Sequence, residues 1–421
     1  MGAFVIRGCE IYLGGAFVPA ELEVRGGVVT ALGGGIVPGE GASVYNFKNC
    51  IVVPGLADVH VHLREPGFSY KETVASGTRA AARSGYAALC AMPNLSPVPE
   101  DAATLAQELD IIRRDAVIDV LPYGAITRGQ RGEQLADMSA MAPYVCGFSD
   151  DGRGVQSREL MRAAMLEAKR LGRPIAAHCE DNSLLRGGYI HAGEYAKAHG
   201  HRGICSESEW GPIARDIELL RETGCAYHVC HISTAESAAL IRSAKAEGLD
   251  ITCETAPHYL LLSDSDLQED GRFKMNPPLR SERDRLALIE ALRDGTIDIL
   301  ATDHAPHSAE EKSRGLAGSA FGITGLETAF PLLWTGLVEP GIISRERLVE
   351  LMSTAPARRF GIESGIEPGG PATFAVFETE TTYRIDPERF ASKGRATPFA
   401  GREVRGRCVL NVVRGREVWR A

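Results

Sequence analysis

The sequence predicts an α/β protein, a (β/α)8 TIM-like barrel with a small β-sandwich domain formed from both chain termini. Three observations lead there. Through the middle of the chain, short apolar runs alternate with amphipathic stretches of helical period, the pattern of a parallel sheet with helical crossovers. Eight such runs occur, at 51–59, 86–92, 117–125, 144–149, 174–178, 225–231, 250–256 and 297–303, and eight is the number that closes this kind of barrel. The two ends read differently. FVIRGCEIYL and AELEVRGGVVTALGGG near the start, and VRGRCVLNVVRGREVW at the end, are apolar pieces broken by glycine, as in hairpins.

The elements follow in order. Residues 1–53 with 365–421 are assigned to the small β domain and 54–364 to the barrel, a division that suits a chain of 421 residues. Pairing both ends into one domain is reasonable because chain termini often lie close together. The first run, IVVPGLADV, leads directly into His60-Val61-His62. Segment 157–172 sets Leu160, Met161, Ala164, Met165, Ala168 and Leu171 on one helical stripe and stops at Gly172. Ser233 and Glu236 have capping-box spacing, and Gly248 stands where a glycine would end that helix.

Composition narrows the function. Lys+Arg number 46 and Asp+Glu 55, a net charge of −9, which argues against coating nucleic acid or an anionic membrane. No apolar run is long enough to suggest a membrane span. The start has no basic region before its apolar residues, and Arg7 and Glu10 interrupt them, so no signal peptide is expected. Ile6 breaks the myristoylation pattern. The ten cysteines are scattered without a CxxC pair. They are read as reduced thiols of a cytoplasmic enzyme.

The chemistry sits where the strands end. His60 and His62 share one strand face at period two. Asp150-Asp151-Gly152 follows the fourth run, His178 ends the fifth, His231 the sixth and Asp303 the eighth. In a barrel these ends converge on one mouth. Histidines and aspartates gathered there suit a two-metal site for borderline ions such as zinc. Each residue also has a plain structural reading. His178 and His231 could be satisfied core histidines, and Asp150 and Asp151 could be turn residues before glycine. Asp303 could cap a helix. The convergence of all of them favours the metal reading. His191, His199 and His201 lie in a polar, glycine-rich stretch and carry no functional expectation.

DVHVHLREPG (58–67), AMPNLSPV (91–98), FSDDG (148–152), HCED (178–181), HVCHIST (228–234), PHYLL (257–261), KMNPPLR (274–280) and ATDHAPH (301–307) together resemble the bacterial class I dihydroorotases of the amidohydrolase superfamily. The likeness extends to the tail, TPFAGREVRGRCVLNVVRG. It implies that His60, His62 and Asp303 hold one zinc, that His178 and His231 hold a second, and that Asp151 bridges them, with Asp150 its weaker competitor. It implies one or two Zn2+ per chain, Arg64, Asn94 and His307 on the substrate carboxylate, Asn276 on the ring, and Asp303 as the proton carrier. The implied reaction interconverts N-carbamoyl-L-aspartate and L-dihydroorotate in pyrimidine synthesis. A homodimer, and association with aspartate transcarbamoylase, are further implied expectations. Three stretches depart from the family pattern: 186–205, the AGSAFGIT segment, and IEPGGPATFAVF, which lacks a usual aspartate. The loop 308–323 is expected to close over the substrate. The rivals are an allantoinase or dihydropyrimidinase, which usually bridges its metals with a carboxylated lysine, and a non-catalytic scaffold of aspartate transcarbamoylase. No lysine lies between Lys71 and Lys169, and all six candidate ligands are present.

Overall fold

The computed structural model describes residues 2–421. Its barrel strands are Leu56–Val61, Tyr86–Ala91, Asp119–Ala125, Gly147–Ser149, Ile175–Ala177, Tyr227–Val229, Ile251–Thr255 and Ile299–Leu300. They lie side by side in chain order and pair in parallel. The ring is joined where Val61 bridges His304 and the His62 N–H donates to the His304 carbonyl at 2.9 Å.

The run at 51–59 is two strands rather than one. Cys50–Pro54 belongs to the terminal sheet, and the barrel strand begins at Leu56. Both pieces are buried throughout, so hydrophobicity alone could not separate them. Gly55 makes the break: a Cβ there would sit 2.4 Å from the Ala87 Cβ.

The first barrel strand carries an irregularity that matters for the site. Ala57 and Val59 pack in the barrel interior with Cys90, Tyr123, Cys146, Ala176 and Cys230. The register against the second strand then shifts between Asp58 and Val61. Three steps along the first strand match two along the second, as at a β-bulge. After the bulge, His60 and His62 take over the interior positions. Phe360 and Ile362 plug the barrel beneath them, with the Phe360 ring edge-on to Tyr123 and His228.

Helix Arg158–Leu171 matches its sequence assignment. Ser157 caps it by accepting from the Leu160 N–H, and Gly172 ends it at φ +66°. Helix Ala235–Ala246 is capped one residue later than its sequence suggests, by Thr234 accepting from the Ser237 N–H. Ser233 is occupied elsewhere: its N–H and hydroxyl both donate to the buried Glu209 carboxylate.

The ends of the chain build one mixed sheet. Its order is Arg416–Arg420, Arg407–Val413, Phe374–Glu378, Cys50–Pro54, Phe4–Leu13, Ala16–Arg25 and Val28–Gly33, with Ser43–Asn46 also beside Phe4–Leu13. Alternation gives the sheet two buried faces. Val52, Phe374, Val376, Leu410 and Val412 face the sheet's own core. Ile51, Val53, Ala375, Phe377 and Val413 join the core shared with the barrel and its helices. Among the described residues, no helix is long and apolar enough to cross a membrane.

Candidate active site

The predicted ligands meet at the C-terminal mouth of the barrel. His62 Nε2 lies 3.1 Å and His60 Nε2 3.5 Å from Asp303 Oδ1. Asp151 sits between the two halves: Oδ1 is 3.3 Å from His60 Nε2 and 3.6 Å from both His178 Nδ1 and His231 Nε2, while Oδ2 is 3.5 Å from His62 Nε2. The two nitrogens of His178 and His231 that face Asp151 are themselves 3.0 Å apart. All six residues are buried.

These residues fit a metal. His60 Nε2 and Asp151 Oδ1 are buried without a hydrogen-bond partner, a costly arrangement unless something else binds them. The ligand atoms of His60, His62 and Asp303 form one compact group, and those of His60, Asp151 and His231 another. Imidazole and carboxylate donors of this kind suit zinc. Burial pushes the Asp151 carboxyl up, but His60, His178 and His231 outweigh it and hold Asp151 well below the usual carboxylate range. A third group of His60, Cys230 and Glu254 is the far side of the His60 ring. Burial pushes the Cys230 thiol up to about 12.

Asp150 is not part of this set. Its Oδ1 accepts from the N–H groups of Ile126 (2.8 Å) and Thr127 (3.1 Å), and its Oδ2 accepts from the Thr127 hydroxyl. The carboxylate is turned away to pin the loop after the third barrel strand.

Three of the site residues have positive φ: Arg64 (62°), His231 (31°) and Asp303 (47°). L-residues rarely adopt such angles, and where they persist at a site the surrounding structure imposes them. Here the tight turns after the strands aim the side chains back over the mouth.

Residues behind the ligands set their tautomers. His60 Nδ1–H donates to Glu254 Oε1 at 2.6 Å, and His62 Nδ1–H donates to Asn94 Oδ1 at 2.8 Å. Both rings therefore present Nε2 to the centre. Glu254 also accepts from the His231 N–H (3.2 Å) and from His228 Nε2 (3.0 Å), so one carboxylate supports both halves of the site. Glu180 does a related job opposite. Its Oε2 lies 3.4 Å from His178 Nε2, and its Oε1 accepts from Asn276 Nδ2 at 3.0 Å. That leaves Asn276 Oδ1 buried and unpartnered.

Nothing in the sequence pattern points to a role for Glu254, Glu180 or His228. The available signal for Glu254 was an acidic residue inside the buried run 250–256.

The remaining predicted contacts flank this centre. Asn94 also donates to Asp151 Oδ2 at 3.4 Å. Arg64 is buried, donates to the Pro306 carbonyl at 3.2 Å, and places Nη2 3.3 Å from His307 Nε2. His307 Nε2–H donates to the Phe321 carbonyl at 2.7 Å, and Nδ1 faces Lys71 Nζ at 3.3 Å. Burial, then Arg64 and Lys71, pull the His307 pKa down to about 3. His191 and His201 are engaged elsewhere, with Arg280 and with Glu269 and Tyr189.

Comparison with known proteins agrees with this geometry. The Dihydro-orotase-like family model matches residues 49–237. The dihydroorotase of Bacillus caldolyticus is 46% identical over 422 residues, covering 100% of this chain and 99% of its own. That of Fusobacterium nucleatum is 46% identical over 415 residues, covering 98% and 97%. The solved L-hydantoinase (dihydropyrimidinase) from Arthrobacter aurescens superposes with a TM-score of 0.88 at 25% identity, covering 100% of this chain and 96% of that one. The dihydropyrimidinase from Brevibacillus agri has a TM-score of 0.86 at 23% identity, covering 99% and 95%, and shows the shared fold. Full-length identity at this level, over a barrel whose strand ends gather the expected histidines and aspartates, places the chain in the dihydroorotase family of cyclic amidohydrolases.

Proposed function

We propose that this enzyme interconverts N-carbamoyl-L-aspartate and L-dihydroorotate in de novo pyrimidine synthesis, with His60, His62, Asp151, His178, His231 and Asp303 holding two zinc ions when fully loaded. The observation that carries the site assignment is Asp151, whose one oxygen lies within 3.6 Å of three histidines from three strand ends. Zinc bound there lowers the pKa of water and polarises an amide carbonyl.

The chain's own residues supply the rest. Arg64 offers the substrate carboxylate a planar guanidinium, with Asn94 and His307 beside it. Asn276 Oδ1, held open by Glu180, is free to accept from a ring N–H. In hydrolysis, the water oxygen bonds to the ring carbonyl carbon and the carbon–nitrogen bond breaks. Asp303 takes the proton from the attacking water and delivers it to the departing nitrogen. Ring closure is the reverse.

Zinc per chain and activity on dihydroorotate, allantoin and dihydrouracil test the reading. Dihydroorotate should be strongly preferred. Preference for dihydrouracil would favour the dihydropyrimidinase alternative, and no turnover of any of them would favour a scaffold. Asp151→Asn should lose metal and activity, whereas Asp150→Asn should keep zinc. The reverse result would reassign the bridge. We further propose that residues 54–364 form the catalytic unit, with 1–53 and 365–421 as its companion. A cytoplasmic homodimer, able to associate with aspartate transcarbamoylase, is checked by light scattering with and without that enzyme.

A further inference from the structure

Lys312 is buried, being only 7% exposed, at the end of the short helix Ala309–Lys312. Its Nζ donates to three main-chain carbonyls: Lys274 (3.0 Å), Ala320 (2.8 Å) and Gly322 (2.7 Å). An ammonium has three N–H groups, and each finds one acceptor. Among the described residues Lys312 makes no ion pair. Burial, with Lys274 nearby, pulls its pKa down to about 7. An apolar side chain here would leave these main-chain carbonyls without their Lys312 donor, at a cost.

The three carbonyls belong to the two segments that carry the proposed substrate contacts. Lys274 stands two residues before Asn276, the ring contact. Ala320 and Gly322 flank Phe321, whose carbonyl accepts from His307, the carboxylate-side residue. The Gly322 N–H also donates to the Lys274 carbonyl at 3.1 Å. Gly322 lies so close to the strand end that a Cβ would sit 2.6 Å from the Ala305 carbonyl. Lys312 is thus the point where helix 309–312, segment 271–276 and turn 320–322 are tied together.

We propose that Lys312 is a positioning residue, its ammonium setting the separation between Asn276 at the ring end of the substrate and the Arg64–His307 pair at the carboxylate end. This rests on the substrate contacts proposed above. Turnover of dihydroorotate by the unaltered enzyme is measured first, and its absence would count against those contacts rather than against Lys312.

The test is Lys312→Met, which keeps the length and removes the donors. KM for dihydroorotate should rise roughly 10- to 100-fold, the scale of a misplaced binding group, and inhibition by orotate should weaken in parallel. The kcat should stay within about 3-fold, since in this reading the chemical step itself is untouched. Zinc per chain should be unchanged. Lys312→Gln, which retains two N–H groups, should give an intermediate KM. Unchanged KM and orotate inhibition in Lys312→Met would overturn the proposal. So would parallel loss of zinc, kcat and folding in both variants, which would make Lys312 a purely structural residue.

Discussion

Glu254, buried behind His60, His228 and His231, can govern the centre from outside it. It accepts hydrogen bonds from His60 Nδ1–H and from the His231 backbone N–H, so it orients a candidate ligand in each half. Glu254→Gln should weaken zinc retention by roughly 10- to 100-fold, the usual effect of losing a partner behind a ligand. Dialysis against graded chelator followed by metal analysis reads this out, and wild-type retention would remove Glu254 from the supporting role. His307 gives a prediction for pH. Burial, then Arg64 and Lys71, pull its pKa down to about 3, so any binding role it has is as a neutral hydrogen-bonding group. The pH profile of KM should therefore show no break near the ordinary histidine value of about 6.5 that His307→Asn removes; such a break would mean that His307 is charged when substrate binds. The histidines and aspartates that meet at the mouth could be read from the chain because each stands at the end of an apolar run. Their supporting carboxylates could not, because nothing local says that a buried glutamate faces a histidine from another strand.

Caps and breaks show where local pattern gives way to tertiary contacts. Ser233 and Glu236 have the right spacing for a cap, yet the helix starts from Thr234, because Glu209 claims Ser233 from a helix earlier in the chain. Thr234→Ala should cost about 1 kcal/mol of stability, the ordinary value of a lost N-cap. Glu236→Ala should cost less, its carboxylate being engaged with Arg283 at the surface. Denaturant titration of both variants checks the order, and equal or reversed losses would restore the earlier cap. The split of 51–59 has the same origin. Both halves are buried strands, and the break falls at Gly55, closely approached by Ala87, where the pairing passes from Phe374 beside Pro54 to Tyr86 beside Leu56. Helix 157–172 needed no such help, since its stripe, its serine cap and its glycine stop all agree.

The barrel and the terminal sheet share one core, so they should unfold together. Phe377 stacks on Phe330 with ring centroids 3.7 Å apart, joining the sheet to a helix beside the barrel. Phe377→Ala should destabilise the protein by about 3–5 kcal/mol, as expected for truncating a buried aromatic residue. Calorimetry should still show a single transition, shifted down. Two separated transitions would mean that the sheet and barrel fold independently. The architecture was open to sequence reasoning because eight runs and two glycine-broken ends are long-range patterns repeated many times. The joint between sheet and barrel was not, because the faces that meet come from opposite ends of the chain.

The extra residue in the first barrel strand has a consequence for anyone who moves this motif. Ala57 and Val59 point inward, and without the bulge the next inward side chain would be Val61, leaving both histidines among the helices. A histidine-x-histidine pair grafted onto an ideal strand in the same reading frame would thus face the wrong way. Deleting Val59 would instead remove the extra residue while keeping Val61 opposite Ala91, so His60 and His62 should still face the mouth, in step with Ala57 on a regular strand. The spacing of the two histidines is visible in the sequence. The frame in which they are read is a property of the kink beneath them.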